Sequence, residues 1–574
     1  VAAALLLSCG ASEENARPNF VLVVIDALRA DHLSCYGHNR PTSPVIDTMA
    51  DGGVLFETAI APAPWTKASF SSFLTSMYPF QHSVNDWAAV MPESIVTLPE
   101  ILAGYGYSTV CVMNMIGLGE RFGVLKGFGE VSQAGKAERD ARETTDDAIE
   151  YLRDLPEPFF MLLHYFDVHK PYKPPVKYAD MVRLDSDPDP FSGMQRWRRG
   201  KDGRPSQKAI DQTTLLYDGC IRYVDESLGR VLAILDERGI RDNTVIMITA
   251  DHGDAFWEHG VDSHGANVYD EVLKVPLIVA WPDGFPSGRR VKSQARLVDL
   301  LPTVVDITGA PDPARREGVS LLPVLEGAQP DDGDGLLPAH VAYAENGLTK
   351  TPQTKCLRTL DYKVIIEPAT ALIEAYDLGQ DPGEARNIFG EMNREVSSLL
   401  ELMRRLPGCS WGGWRFGLTG GREGSAVRAR VDVLDGGSVS VVEMLTKRGS
   451  LRYTLDENRE WIEIEGKSAF LDILLFTTDP PDSRIVLRLA HDGSVDPGEV
   501  FVGEAGRMNV PSDGIVLSKQ DATGLPASFQ DHRESHTFAV HLWWLPGGPI
   551  QGRPTMSTLT EEELRSLRGL GYIQ

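Results

Sequence analysis

Two carboxylates and an imidazole in this chain stand just after apolar runs. Asp26 follows Phe20-Val21-Leu22-Val23-Val24-Ile25, and Asp251-His252-Gly253-Asp254 comes at the end of Thr244-Val245-Ile246-Met247-Ile248-Thr249. Two carboxylates with one imidazole suit a divalent cation, and the imidazole tilts the choice towards zinc or manganese, with calcium the remaining option. Singly, each has a plainer role, Asp26 as a helix N-cap and His252 as a hydrogen-bonded structural histidine. Thr66 lies in Ala63-Pro64-Trp65-Thr66-Lys67-Ala68-Ser69-Phe70, where an irregular stretch turns into a helix-like pattern. A threonine there can cap the helix. The same geometry aims its hydroxyl at a place where first-turn amides and the helix dipole attract an anion. Thr66 is therefore either a cap or an oxygen nucleophile beside a phosphate or sulfate. His164 and His169 follow or end a third run, while His259, His264 and Lys274 come after Asp251. A neutral imidazole can donate to a non-bridging oxygen, and a protonated one can protonate a leaving group.

These residues need a frame that gathers them. The Val-rich runs at 20–25 and 244–249, with 109–113, 159–163 and 276–281, are continuous rather than alternating, as in strands buried on both faces of a parallel sheet. Tyr217 to Arg238 carries helical periodicity, with Gly239 placed to end it, and 298–305 reads as a helix entrance. Alternating strands and helices predict a doubly wound α/β fold, whose ligands sit beyond the carboxyl ends of the strands. The polar, Arg-rich stretch 185–206 reads as a loop insertion near the site. Near residue 407 the texture changes. Val427-Arg428-Ala429-Arg430-Val431-Asp432-Val433 alternates strictly, and 484–489 and 537–545 are strand-like too. The expected organisation is a leader and tether at 1–18, a catalytic domain at 19–407, a β-rich accessory domain at 408–550, and a helical tail at 551–574.

Composition bounds the partners. The 574 residues carry a net charge of -25, which argues against nucleic-acid binding. The apolar start, ending Leu6-Leu7-Ser8-Cys9, resembles a bacterial lipobox. It predicts export, lipid attachment at Cys9, and a protein facing the periplasm or cell surface, with membrane contact through that anchor alone. The other five cysteines have no metal-ligand spacing and read as buried small apolar residues.

In order along residues 18–400, the chain resembles the sulfatase family of the alkaline phosphatase superfamily. The resemblance rests on Val24-Ile25-Asp26-Ala27-Leu28-Arg29 through Gly37, on Trp65-Thr66, on His164 to Tyr172, on Thr249 to Gly253, on His264-Gly265 and on Asp299-Leu300-Leu301-Pro302-Thr303. It closes with Tyr376-Asp377-Leu378 and Asp381-Pro382-Gly383-Glu384. It implies a large central mixed sheet flanked by helices, one catalytic metal, and hydrolysis of a sulfuric or related ester. Carried over by position, Asp26, Asp251 and His252 are metal ligands, and Thr66 stands at the nucleophile. His169 and His264 bind the anion or assist the leaving group. His164, Asn114 and Lys274 complete the substrate side.

The frame also departs from the family. Where a sulfatase carries Cys or Ser, converted to formylglycine, this chain has Thr66, whose Cβ methyl forbids that aldehyde; no formylglycine is expected. Ala68 and Phe70 replace the usual Pro and Arg, and Ala27 replaces a second acidic ligand. Two mechanisms remain. In one, a Thr66 alkoxide attacks directly, as in phosphodiesterases and phosphotransferases, and suits phosphate better than sulfate. In the other, Thr66 is a spacer and water at the cation attacks. The expected substrate is a sulfated or phosphorylated small molecule, glycan or lipid. A third reading is an idle anchored binding protein that uses Trp411, Trp414, Trp461, Trp543 and Trp544; retention of Asp26, Asp251 and His252 argues against it.

Overall fold

The computed structural model describes residues 17–545, apart from 134–138, 192–203, 313, 329–336, 348–353, 368–371, 392 and 407–412, and apart from ten connecting segments after residue 419. Those segments are 420–426, 435–437, 448–451, 467–471, 480–483, 490–499, 503–505, 508–514, 518–519 and 521–538. Cys9 with the leader, Trp411, most of the Arg-rich loop and the tail helix lie outside the described residues.

Long apolar runs produce the central layer. β1 (Asn19–Ile25), β2 (Val54–Ile60), β3 (Ser108–Met113), β4 (Glu130–Gln133), β5 (Phe159–Tyr165) and β6 (Thr244–Thr249) form most of it. A small hairpin, β7 (Ala255–Phe256) with β8 (Asp262–Ser263), precedes β9 (Lys274–Ala280). β10 (Arg289–Val291) and β11 (Ala295–Arg296) both pair with β2. The order across the nine-stranded sheet is β10-β2-β9-β6-β1-β5-β3-β4. β1, β5 and β6 are buried on both faces throughout, which is why their sequences do not alternate. β2 escaped the sequence reading because Glu57, its one partly exposed residue, interrupts the apolar run.

The sheet is mixed, as the family resemblance implied. β9 alone runs antiparallel to its neighbours, pairing with β2 on one side and β6 on the other. Its amino end therefore lies at the edge where β1, β2, β5 and β6 have their carboxyl ends. Helices cover the layer, the longest being Gln207–Glu237. It begins well before the expected Tyr217, because Ser206 caps it through Ala209 and its first turns are too polar to show periodicity.

Beyond the central sheet, β12 (Ala342–Glu345), β13 (Lys355–Arg358), β14 (Tyr362–Glu367) and β15 (Leu372–Asp377) make an antiparallel four-stranded sheet. The helix Arg394–Arg405 packs on it through Val396, Leu399 and Met403. Two further sheets, of six and five strands, follow from Gly413. Phe416, Val439 and Val540 from one and Ala429, Val431, Ile464 and Leu487 from the other share a core. Strict alternation at Val427–Val433 is explained by this arrangement: Ala429, Val431 and Val433 turn inward while Arg430 stays out.

Candidate active site

The carboxyl edge of the sheet gathers the residues singled out by the sequence. Val24 pairs with His164 of β5 and with Thr249 of β6, so Asp26 and Asp251 leave their strands level with each other, just beyond His164. The Asp26 amide donates to the Tyr165 carbonyl at 2.8 Å and fixes that exit. Ala27 follows with φ 58, a left-handed conformation that disfavours any residue with a Cβ. Two bonds hold it there. Its amide donates to Asp251 Oδ1 at 3.2 Å, and its carbonyl accepts from the Tyr217 hydroxyl at 2.8 Å. Ala27 thus binds the backbone after β1 to the Asp251 carboxylate. Gly253 has its own constraint, since a Cβ there would lie 2.3 Å from the Glu271 carbonyl oxygen.

Thr66 is not a cap. Trp65, with extended backbone, holds the cap position without a side-chain bond, and Thr66 is the first residue of a helix running to Thr75. All ten residues of that helix are buried. The Thr66 hydroxyl lies 3.5 Å from Asp26 Oδ2 and 3.3 Å from His252 Nε2. Ser69, one turn on, donates to the Asp251 carbonyl at 2.6 Å and ties the helix start to the ligand loop.

Asp26, Asp251 and His252 bring one ligand atom each within 4.8 Å of one another. All three are fully buried. Among the described residues Asp26 Oδ1 and Asp251 Oδ2 have no hydrogen-bond partner, a costly state for buried carboxylate oxygens. His252 Nδ1 donates to the Gly253 carbonyl at 2.8 Å, so its Nε2 lone pair faces the carboxylates, 3.6 Å from Asp26 Oδ1 and 3.4 Å from Asp251 Oδ2. Burial, then the Asp251 charge, pushes the Asp26 carboxyl well above its usual value. At His252 burial works downward, but Asp251 and Asp26 prevail and raise it. Two orphaned carboxylate oxygens facing an imidazole lone pair fit a divalent cation.

Three histidines border this group. His164 Nε2 lies 3.3 Å from Asp26 Oδ2, and burial brings its pKa down to about 4. His264 sits with its ring 4.2 Å from that of His252, and His169 lies 4.8 Å from His264. Burial lowers both, helped at His169 by His264 and at His264 by His252. His169 Nδ1 donates to the Lys170 carbonyl at 2.6 Å. His259 points elsewhere, bonding Glu271 and the Glu384 carbonyl and stacking on Tyr269. Asn114 follows β3 at the same edge, yet its amide donates to the Arg139 carbonyl and to Thr144, and its oxygen accepts from Arg139. Its bonds are thus those of a brace for the 139–144 segment. Lys274 opens β9 opposite Ile60 of β2, at the active edge.

Arg29, Tyr172 and Asp254 were not singled out by the sequence reading. Arg29 donates to Asp31, to Glu258 and to the Asp254 carbonyl, closing the ligand loop over the edge. Its place three residues after Asp26, in a chain whose other charges there are acidic, was the available signal. A second metal-like group, His32, His38 and Asp218, also occurs among the described residues. There His32 Nδ1 lies only 2.6 Å from Asp218 Oδ1, a hydrogen bond, and Arg40 stands 3.4 Å from Asp218 Oδ2. That carboxylate is already satisfied, so the group braces the fold.

A mixed sheet with a cation-ready carboxylate pair and a hydroxyl at a helix start defines a hydrolase of the alkaline phosphatase type. Residues 18–310 match the family model described as Sulfatase, and residues 258–407 match the C-terminal region of N-sulphoglucosamine sulphohydrolase. The first match covers more than half of the chain, which therefore belongs to the sulfatase family and is an ester hydrolase of the sulfuric ester class by family. Among its relatives is an N-acetylglucosamine-6-O-sulfatase of Bacteroides thetaiotaomicron, 25% identical over 500 residues, covering 70% of this chain and 89% of the relative. An arylsulfatase of Clostridium perfringens is 25% identical over 463 residues, covering 68% and 93%. The fold matches a structure solved with its substrate D-glucosamine-2-N,6-O-disulfate, at TM-score 0.57, 23% identity and coverage of 67% and 96%. It also matches a phosphonate monoester hydrolase of Agrobacterium radiobacter, at TM-score 0.56, 20% identity and coverage of 67% and 95%.

Proposed function

We propose that the protein hydrolyses an anionic ester with Thr66 as nucleophile, beside one divalent cation held by Asp26, Asp251 and His252. The observation that carries this reading is the Thr66 hydroxyl, 3.5 Å from Asp26 Oδ2 and 3.3 Å from His252 Nε2 at the first turn of a buried helix. Zinc or manganese suits the mixed oxygen and nitrogen set. When bound, such a cation supplies the positive charge that acidifies an oxygen placed against it and offsets the two carboxylates. Thr66 Oγ1 attacks the sulfur or phosphorus as its proton leaves towards Asp26 Oδ2, the acceptor of its hydrogen bond, and the bond to the ester oxygen breaks. The departing alkoxide takes a proton, and the first-turn amides face the oxyanions. Water then cleaves the threonyl ester, releasing the inorganic or monoester anion and restoring the hydroxyl.

Of the two ester classes, the threonine favours phosphorus. A threonyl sulfate lacks the elimination route that an aldehyde hydrate provides, whereas a threonyl phosphate or phosphonate is opened by attack at phosphorus. The sulfated amino-sugar chemistry of the relatives supports a sulfated or phosphorylated sugar as the natural substrate class. The lipobox-like leader supports an exported, lipid-anchored enzyme. A panel of aryl sulfate, phosphate monoester and phosphodiester substrates, with metal content measured alongside, tests the class. Thr66→Ala is expected to lose activity by on the order of 10³-fold or more, and acid-quenched wild type should carry an adduct on the Thr66 peptide. Full activity in Thr66→Ala would assign attack to water instead.

A further inference from the structure

Beyond the ligands, one buried chain of polar groups reaches the site. Asp254 is fully buried in the ligand loop, two residues after His252. Its Oδ1 accepts from His264 Nδ1 at 3.1 Å, and its Oδ2 accepts from the Tyr172 hydroxyl at 2.5 Å. Tyr172 is buried and packs edge-on against Tyr217 and Phe256. Arg29 meanwhile holds the Asp254 carbonyl. Each end of the carboxylate is thus fixed by an element other than its own, and the fixed carboxylate meets an imidazole on only one ring nitrogen.

We propose that Asp254 is a positioning residue for His264, with Tyr172 holding the carboxylate in place. This rests on the hydrolase reading above. The bond to Asp254 Oδ1 occupies Nδ1 and leaves Nε2 as the ring nitrogen that can face substrate. It also fixes the ring plane between those of His252 and His169. The same logic governs the orienting carboxylate of catalytic triads, whose replacement by its amide costs about 10⁴-fold in kcat.

The test compares Asp254→Asn, Asp254→Ala, His264→Ala, Tyr172→Phe and the double variant Asp254→Ala/His264→Ala on the full chain, with the aryl ester that wild type turns over fastest. Asp254→Asn should lose on the order of 10²- to 10⁴-fold in kcat, with KM, metal content and melting temperature close to wild type. The double variant should be no slower than His264→Ala, because the two residues act as one unit. Tyr172→Phe should lose less than Asp254→Asn. Independent, multiplying losses in the double variant, or an Asp254→Asn enzyme with kcat within about threefold of wild type, would overturn the assignment. Should Asp254→Ala not fold, Asp254→Asn and Tyr172→Phe decide between these outcomes. A wild type that cleaves no member of the ester panel refutes the hydrolase reading, and this assignment with it.

Discussion

Stripping the cation should leave a protein whose stability falls as pH rises, and Asp26→Asn should repair it. The Asp26 and Asp251 ligand oxygens lie within 4.8 Å of each other. At an effective dielectric of about 20, two like charges at that separation or closer repel by about 3.5 kcal/mol or more. Folded, metal-free protein relieves the repulsion by protonating Asp26, whose pKa is raised by burial and by Asp251. A carboxyl raised on folding contributes stability that is fully present below its unfolded value of 3.8 and is lost as pH climbs through the folded value. The metal-loaded protein lacks this loss, because the cation keeps the carboxylate ionised. The melting-temperature gap between loaded and chelator-treated protein should therefore widen from pH 5 to pH 8. Asp26→Asn removes one charge, so the treated variant at pH 8 should melt several degrees above treated wild type while gaining nothing from added metal. A gap independent of pH, or a stripped Asp26→Asn protein no more stable than stripped wild type, would refute the charge-pair account.

Two other outcomes follow from buried groups. Gly253→Ala should cost more than about 2 kcal/mol and lower metal content, because its Cβ would meet a backbone carbonyl at 2.3 Å, and backbone cannot yield as a side chain can. Denaturant titration with metal analysis checks both effects. His82, bonded to Ser72 and the Val84 amide, is held neutral by burial, with its pKa down to about 3. A base depressed on folding loses stability as pH falls from its unfolded value of 6.5 to its folded one. The loss should reach on the order of 2 kcal/mol by pH 5, and His82→Gln should flatten it in melts run between pH 7 and pH 5.

The closeness of Asp26, Asp251 and His252 was legible because each follows the end of a buried strand, and an apolar run followed by a carboxylate is a strong local pattern. Strand boundaries at 244–249 and 427–433 were legible for the same reason, with unbroken burial in one and strict alternation in the other. Thr66 was half legible. Its neighbourhood marked a helix start, but the cap and the first helical residue are adjacent, and only the backbone at Trp65 distinguishes them. Asn114 carried a positional signal that its bonds to Arg139 and Thr144 redirect towards bracing. The four-stranded sheet at 342–377 was missed because its strands are short and separated by polar segments. Asp254 lay in plain view beside His252, but its bond to His264 forms across a hairpin, and no local spacing encodes that.

The antiparallel course of β9 has a consequence for how this enzyme can change. Every parallel crossover leaves the active edge, traverses a helix, and re-enters the sheet at the opposite edge. The connection from β6 to β9 both departs from and returns to the active edge. Residues 250–273 therefore begin and end at that edge, anchored at both ends by paired strands, and carry Asp251, His252, Asp254 and His264. Within it the hairpin turn from Trp257 to Val261 holds none of these four, so lengthening that turn changes the edge without shifting a strand register. That turn can change in length and sequence while the carboxylates beside the strand ends keep their places.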